Sequence, residues 1–321
     1  MKEIFFEEIV KTVDDFKKNR KKGIAFVMLT DTKLCDTVDD TAENIRTADS
    51  NIYFDFIIHM GNFINGNNPR NISMTLLDNE FKKITGMISK KEFYPVQGRT
   101  DGYRDETFYG QLAMNIMTNE LWDKHICFVD DYKKVSRPEK KPYYYVDYDE
   151  QKVRIIVLCA FDYQINERIG YYVRNCEIDA EQAQWLAEDA LKPDDEWTVL
   201  IFSGAIPGSV FETGKYPFIY QGYSTEPILR IVQEAQENGV NVACWFSGGY
   251  GYDCIDKIAG INFVLIDSQI PQAARQGNDI IFNRYIGTKN QDCWDAVMLN
   301  TEDREIKLFR FGYGDDRVIK Y

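Results

Sequence analysis

Histidine is almost missing from this chain: His59 and His125 are the only two in 321 residues. That scarcity leaves little material for imidazole metal centres or for an imidazole base beside a serine or cysteine nucleophile. The seven cysteines are odd in number and form no C-x-x-C pair, which argues against a disulfide framework. No G-K-[ST] phosphate loop and no G-x-S-x-G nucleophile elbow appears. No apolar stretch reaches the length of a membrane span, and Met1 to Arg20 is charged and helix-periodic where a secretory signal would be apolar. Positive charge is also short. The formal net charge is −13 and the pI about 4.8, which argues against duplex nucleic acid or an anionic membrane as partner. Lys17-Lys18 and Arg20-Lys21-Lys22 read as a solvated helix end, not a binding patch.

What is plentiful is core material. The chain is 44% hydrophobic, with 20 Phe, 20 Tyr and 5 Trp, enough for one large α/β domain. Cys159 and Cys244 sit inside apolar, strand-like runs, so buried free thiols in a reducing compartment are expected, and with them a cytoplasmic or particle-bound location. Phe5, Ile9, Val13 and Phe16 recur at helical spacing, which predicts an amphipathic helix from about 2 to 20. Buried strands are expected at Ile24–Leu29, Phe54–Ile58, Val153–Cys159, Trp197–Phe202 and Val240–Phe246, with a short one at Tyr94–Val96. Helices are expected over Met74–Lys90, after an Asp179 cap, and over Pro227–Asn238. Short strands dominate beyond Ile261, while Val129–Glu150 reads as an irregular surface excursion. The pattern predicts an α/β fold as a single domain over 1–321.

Five short segments follow predicted strands: Thr30-Asp31-Thr32-Lys33, His59-Met60-Gly61-Asn62, Gly98-Arg99-Thr100-Asp101, Phe202-Ser203-Gly204-Ala205, and Phe246-Ser247-Gly248-Gly249-Tyr250-Gly251-Tyr252-Asp253. Ligands collect at the carboxyl ends of strands in open α/β sheets, so these loops are expected to converge. In order and spacing they resemble the active-site loops of calcineurin-like metallophosphoesterases, written roughly D-x-H, G-D, G-N-H-D, a lone H and G-H-x-H. The resemblance runs from about Ile24 to the C-terminus, where Arg310 to Arg317 is similar to a closing strand and turn of some members. It implies an α/β/β/α sandwich with two mixed sheets.

Against that pattern the ligand set is depleted. Asp31 and Asp101 stand where the family has aspartates, but Lys33 replaces the first histidine and Asn62 the bridging aspartate. Arg99 and Thr100 replace an asparagine and a histidine, Gly204 (Ala205 if the register slips by one) a further histidine, and Gly249 and Gly251 the last pair. A two-metal phosphoesterase needs a bridging carboxylate between its cations, and two new cationic side chains repel metal. The resemblance therefore implies a pseudoenzyme without metal or other cofactor, kept as a binding or structural module, for instance in a phage-tail-like or other assembly. One rival is a phosphoesterase rebuilt around Asp31, with Asp36, Asp101 or Asp253 as oxygen donors for Mg²⁺ or Ca²⁺. Another is an anion sensor using Lys33, Arg99 and Arg104; its counter-reading pairs Lys33 or Arg99 internally with Asp31 or Asp101. Asp253 is expected to cap a turn, and His125 to be a satisfied structural residue. Tyrosines at 143–145, 171–172, 216, 220, 223, 250 and 252, with Phe218, are read chiefly as packing; those left on the surface suit a protein partner, or alternatively a glycan.

Overall fold

The computed structural model describes residues 2–66, 68–90, 92–102, 118–166, 171–175, 178–194, 196–206, 226–271, 274–276, 279–281 and 284–321. The expectations that fall on Arg104, Tyr216, Phe218, Tyr220 and Tyr223 lie outside these residues. In chain order the helices are α1 (Phe6–Asn19), α2 (Val38–Ile52), α3 (Arg70–Thr85), α4 (Arg99–Gly102), α5 (Asn119–Ile126), α6 (Ala180–Trp185) and α7 (Glu226–Glu237). The first sheet is built from β1 (Gly23–Leu29), β2 (Phe56–His59) and β3 (Phe93–Pro95), and the second from β4 (Val135–Ser136), β5 (Tyr144–Tyr148) and β6 (Val153–Leu158). A hairpin of β7 (Asp162–Asn166) and β8 (Tyr171–Asn175) follows. Next come β9 (Thr198–Ser203), β10 (Asn241–Ser247), β11 (Cys254–Ile258) and β12 (Ile261–Leu265), then a second hairpin, β13 (Ala274–Gln276) and β14 (Asp279–Ile281). The chain closes with β15 (Cys293–Asn300), β16 (Glu305–Gly312) and β17 (Arg317–Lys320).

Two mixed sheets carry the fold. One has the order β17-β16-β15-β1-β2-β3, parallel from β1 to β3 and antiparallel elsewhere. The other has the order β11-β12-β10-β9-β6-β5-β4, with a parallel centre of β12, β10, β9 and β6. Alternation along the second sheet explains why its sequence reads as continuous apolar runs. Ile155, Val157, Leu200, Phe202, Cys244 and Phe246 face the first sheet. Ile156, Leu158, Val199, Ile201, Trp245 and Phe263 face outward onto a second cluster with Leu186, Ile228 and Val232. Both faces are dry, so period-2 polarity is absent. Aromatic rings join the sheets: Phe26 stacks on Phe56 at 4.7 Å and meets Phe202 edge-on at 6.1 Å, and Phe202 stacks on Phe246 at 5.1 Å. Helix α1 covers the first sheet through Phe16, which packs on Phe309 and Phe54. This is the α/β/β/α arrangement expected from the sequence.

Two boundaries move. The second strand begins at Phe56 because the Asp55 carboxylate accepts the Ala25 N–H and the Asp49 carboxylate accepts that of Phe54, which holds this corner out of the sheet. Helix α3 starts directly after Pro69 and ends at Thr85, earlier at both ends than expected. One expectation is corrected outright. The segment 129–150 is no surface excursion, since β5 lies inside the second sheet and buries Tyr144, Val146 and Tyr148 on its inner face. Its alternation Tyr144-Tyr145-Val146-Asp147-Tyr148 is a half-buried strand pattern.

The closing strands are fixed by a compact charge cluster. Arg310 on β16 reaches Asp253 at 2.7 Å and Asp295 at 3.0 Å, and Arg317 on β17 pairs with both of the same carboxylates. Asp253 is therefore part of an ion network rather than a simple turn cap, although it also accepts the Asp267 N–H at 3.1 Å. Arg310 is buried, so removing it leaves two carboxylates to share Arg317 alone. Arg310→Met is expected to lower stability by about 3–5 kcal/mol, read as a lower midpoint in urea unfolding.

Candidate functional site

Strand register brings the five loops to one rim. Leu29 pairs with His59 and His59 with Pro95 in the first sheet; Leu158 pairs with Ser203 and Ser203 with Ser247 in the second. Every loop singled out from the sequence leaves the carboxyl end of one of these parallel strands.

The first two loops are stapled backbone to backbone. Asp31 N–H donates to Gly61 O at 3.0 Å and Lys33 N–H to Asn62 O at 3.2 Å. The geometry requires left-handed backbone at residues that are not glycine: φ is 59° at Asp31, 45° at Lys33, 54° at Leu34 and 60° at Asn62. Such residues cluster at functional sites, because the surrounding contacts must hold them there. Here the contacts are polar and internal. Lys33 Nζ lies 2.8 Å from Asp31 Oδ1, and Asn62 Nδ2 donates to that same oxygen at 2.8 Å. Asn62 Oδ1 accepts the Thr100 N–H at 2.8 Å, so the amide is oriented by an acceptor on one side and a donor on the other. Asp31 is 1% exposed, and its Oδ2 has no hydrogen-bond partner among the described residues.

Asp101 clips the second and third loops together. Its carboxylate accepts N–H groups from Gly98 (2.8 Å), Asn62 (2.8 Å), Phe63 (2.7 Å) and Ile64 (3.2 Å). Burial pushes its pKa up to about 7 against those four donors, which hold it down. All its accepting capacity is directed at backbone, away from any added ion. Arg99 opens α4 beside it and is half-buried. His59 is fully buried beneath the first two loops. Its Nδ1 accepts the Gly61 N–H at 3.1 Å, which leaves the proton on Nε2, 3.0 Å from Thr32 Oγ1. The ring stacks on Phe63 at 3.9 Å, and burial lowers its pKa well below the usual histidine range, so it stays neutral. His125 sits on α5 with Nδ1 2.7 Å from Asp78 Oδ1, and Nε2 has no partner among the described residues.

The glycines at 204 and 249 sit where there is no room for a side chain. A Cβ added at Gly204 would lie 2.1 Å from Gln97 O, and one at Gly249 would lie 2.8 Å from Asn62 Nδ2 and 3.9 Å from Gly204 O. Gly249 also has φ at 82°, where a side chain is strained. Asp31, Lys33, Asn62, Thr100, Asp101, Gly204 and Gly249 therefore form one packed node. Gly251 (φ 75°) lies two residues on, in the turn carrying Tyr250 and Tyr252, where Tyr250 OH accepts the Ile206 N–H at 3.2 Å. Gln97, which packs against Gly204 and takes a thiol contact from Cys159 at 3.1 Å, was not singled out from the sequence; its place just before Gly98 was the available signal.

A dinuclear metal centre does not fit these residues. The Asp31 carboxylate already holds an ammonium, Asn62 beside it offers an amide, and the Asp101 carboxylate is spent on backbone. No group of three or more His, Cys, Asp or Glu side chains among the described residues is arranged to hold a metal ion.

Neither a protein-family model nor a curated protein sequence matches the chain. Solved structures do. A dimetal phosphatase from Danio rerio aligns over 94% of this chain and all of that one, at 12% identity and a TM-score of 0.57. GAP50, the anchor in the inner membrane complex of Plasmodium, aligns over 90% of this chain and 84% of its own at 14% identity, with a TM-score of 0.48. The fold is that of the calcineurin-like metallophosphoesterases. Among the described residues, no helix is long and apolar enough to cross a membrane.

Close packing of the node predicts a sharp response at Gly204. Gly204→Ala drives a methyl group into the Gln97 carbonyl and is expected to cost about 1–3 kcal/mol, measured as a fall in thermal midpoint.

Proposed function

We propose that this chain is a metallophosphoesterase-fold protein whose two-metal chemistry has been replaced by internal pairing, and that it works as a binding or structural module. The observation that carries this reading is Lys33 Nζ at 2.8 Å from Asp31 Oδ1: the cation beside the retained carboxylate is the chain's own. The Asn62 amide on the same oxygen and the glycine closure support it. We read the whole chain as one domain, since a single hydrophobic cluster runs from Phe5 to Ile319. The partner we favour is another protein or an assembly surface, for which exposed Phe6, Tyr53 and Tyr285 on an acidic molecule are suited contacts; a glycan is the alternative. The anion-sensor reading loses support because Lys33 is already engaged.

The test is metal content by elemental analysis after exposure to Mn²⁺, Zn²⁺ and Mg²⁺ and removal of free ion, paired with hydrolysis of p-nitrophenyl phosphate and its bis-ester. We expect neither stoichiometric metal nor metal-dependent turnover. Retained metal together with turnover would overturn the reading in favour of a hydrolase rebuilt around Asp31. A second expectation concerns the ammonium itself. Lys33→Ala leaves Asp31 buried without its countercharge, with a loss of about 3 kcal/mol in urea unfolding. Added Mn²⁺ should recover part of that loss in the variant and leave the parent unchanged.

A further inference from the structure

Glu80 on α3 is an anomaly for a carboxylate. Its side chain is fully buried, and neither oxygen has a hydrogen-bond partner of ordinary geometry among the described residues. The hydroxyl that bears on it is that of Thr32, which lies 3.0 Å from His59 Nε2. Thr32 immediately follows Asp31 and opens the turn into α2, its carbonyl accepting the Cys35 N–H at 3.0 Å. The charged groups acting on Glu80 are Lys83, one turn further along α3, and Asp39 in the first turn of α2. These two pair with each other at 2.8 Å, and Asp36 also acts on Lys83. His59 touches the same Thr32 hydroxyl and is neutral.

We propose that Glu80 is a proton-operated latch between α3 and the 32–38 loop, closed while its carboxyl is protonated and loosened when it ionises. A protonated carboxyl needs one acceptor and finds the Thr32 hydroxyl oxygen. An ionised one needs donors or a countercharge, and Thr32 supplies at most one hydrogen bond. The cation within reach is Lys83, and drawing it inward takes it from Asp39. Loss of the proton to solvent thus loosens two contacts at once, the α3–loop contact and the α3–α2 ion pair.

Burial raises the Glu80 pKa from 4.5 to about 7. The folded chain holds a proton that the unfolded chain releases above pH 4.5, so this group's contribution to stability declines between pH 4.5 and about 7 and is constant above that. Asp101 titrates in the same window, so a pH profile of the parent protein alone does not isolate Glu80.

The experiment compares the full chain with Glu80→Gln, which keeps the shape and a neutral donor. Two quantities are read at pH 5 and pH 8: the thermal midpoint, and amide hydrogen exchange over 32–38 after correction for intrinsic rates. We expect the midpoint of the variant to gain on the parent by several degrees between the two pH values. Exchange in the loop should rise at pH 8 in the parent and not in the variant. Equal pH dependence in both proteins would overturn the latch. Should Glu80→Gln fold poorly, Lys83→Met serves instead: removing the cation should shift the parent's loop-exchange transition to higher pH, and an unshifted transition would overturn the proposal.

Discussion

A buried carboxylate is costly without a countercharge, and Asp31 finds one within its own chain in Lys33. Much of the rim follows from that pairing. The first loop turns through three left-handed residues to bring the ammonium back over the carboxylate two positions earlier. Asn62 supplies a neutral donor to the same oxygen, where a second carboxylate would have added charge without a cation to offset it. Because the amide is anchored at both ends, the loops bearing Gly249 and Gly204 close directly onto Asn62 and Gln97. Charge balance and close packing are two aspects of one arrangement.

The scaffold beneath is independent of what the rim carries. Parallel strands at the centre of each sheet deliver loops to the rim whatever those loops carry, and their stability comes from apolar surface buried on both faces. Asp101 illustrates the separation. Its four backbone hydrogen bonds organise the second and third loops through the chain's own groups, so this loop geometry does not depend on a bound ion.

Much of this was legible in the sequence, for physical reasons that also mark where legibility stops. Strands β1, β9 and β10 read clearly because burial on both faces makes them uninterrupted apolar runs. Strand β5 did not, because the charges and Pro142 before it masked a short alternation in which three of five residues are tyrosine. The rim loops were found by order and spacing, which are properties of the chain itself. Asp253 was misassigned because its partners Arg310 and Arg317 are 57 and 64 residues away, and a sequence gives no distance across sheets. Glu80 escaped notice for a related reason: Asp78-Asn79-Glu80 reads as a polar, solvent-facing run, and the tertiary packing of α3 takes Glu80 out of solvent.

The two-residue separation of Asp31 and Lys33 has a consequence best put in terms of concentration. An ammonium attached to the same short turn as its carboxylate meets it at an effective concentration of about millimolar or above, set by the tether and independent of what the surrounding solution holds. A dissolved cation competes with that local concentration on every encounter, however good the remaining oxygen donors are. On the reading proposed above, occupancy of this carboxylate is set by the turn that carries the lysine, and the metal supply around the molecule has little purchase on it.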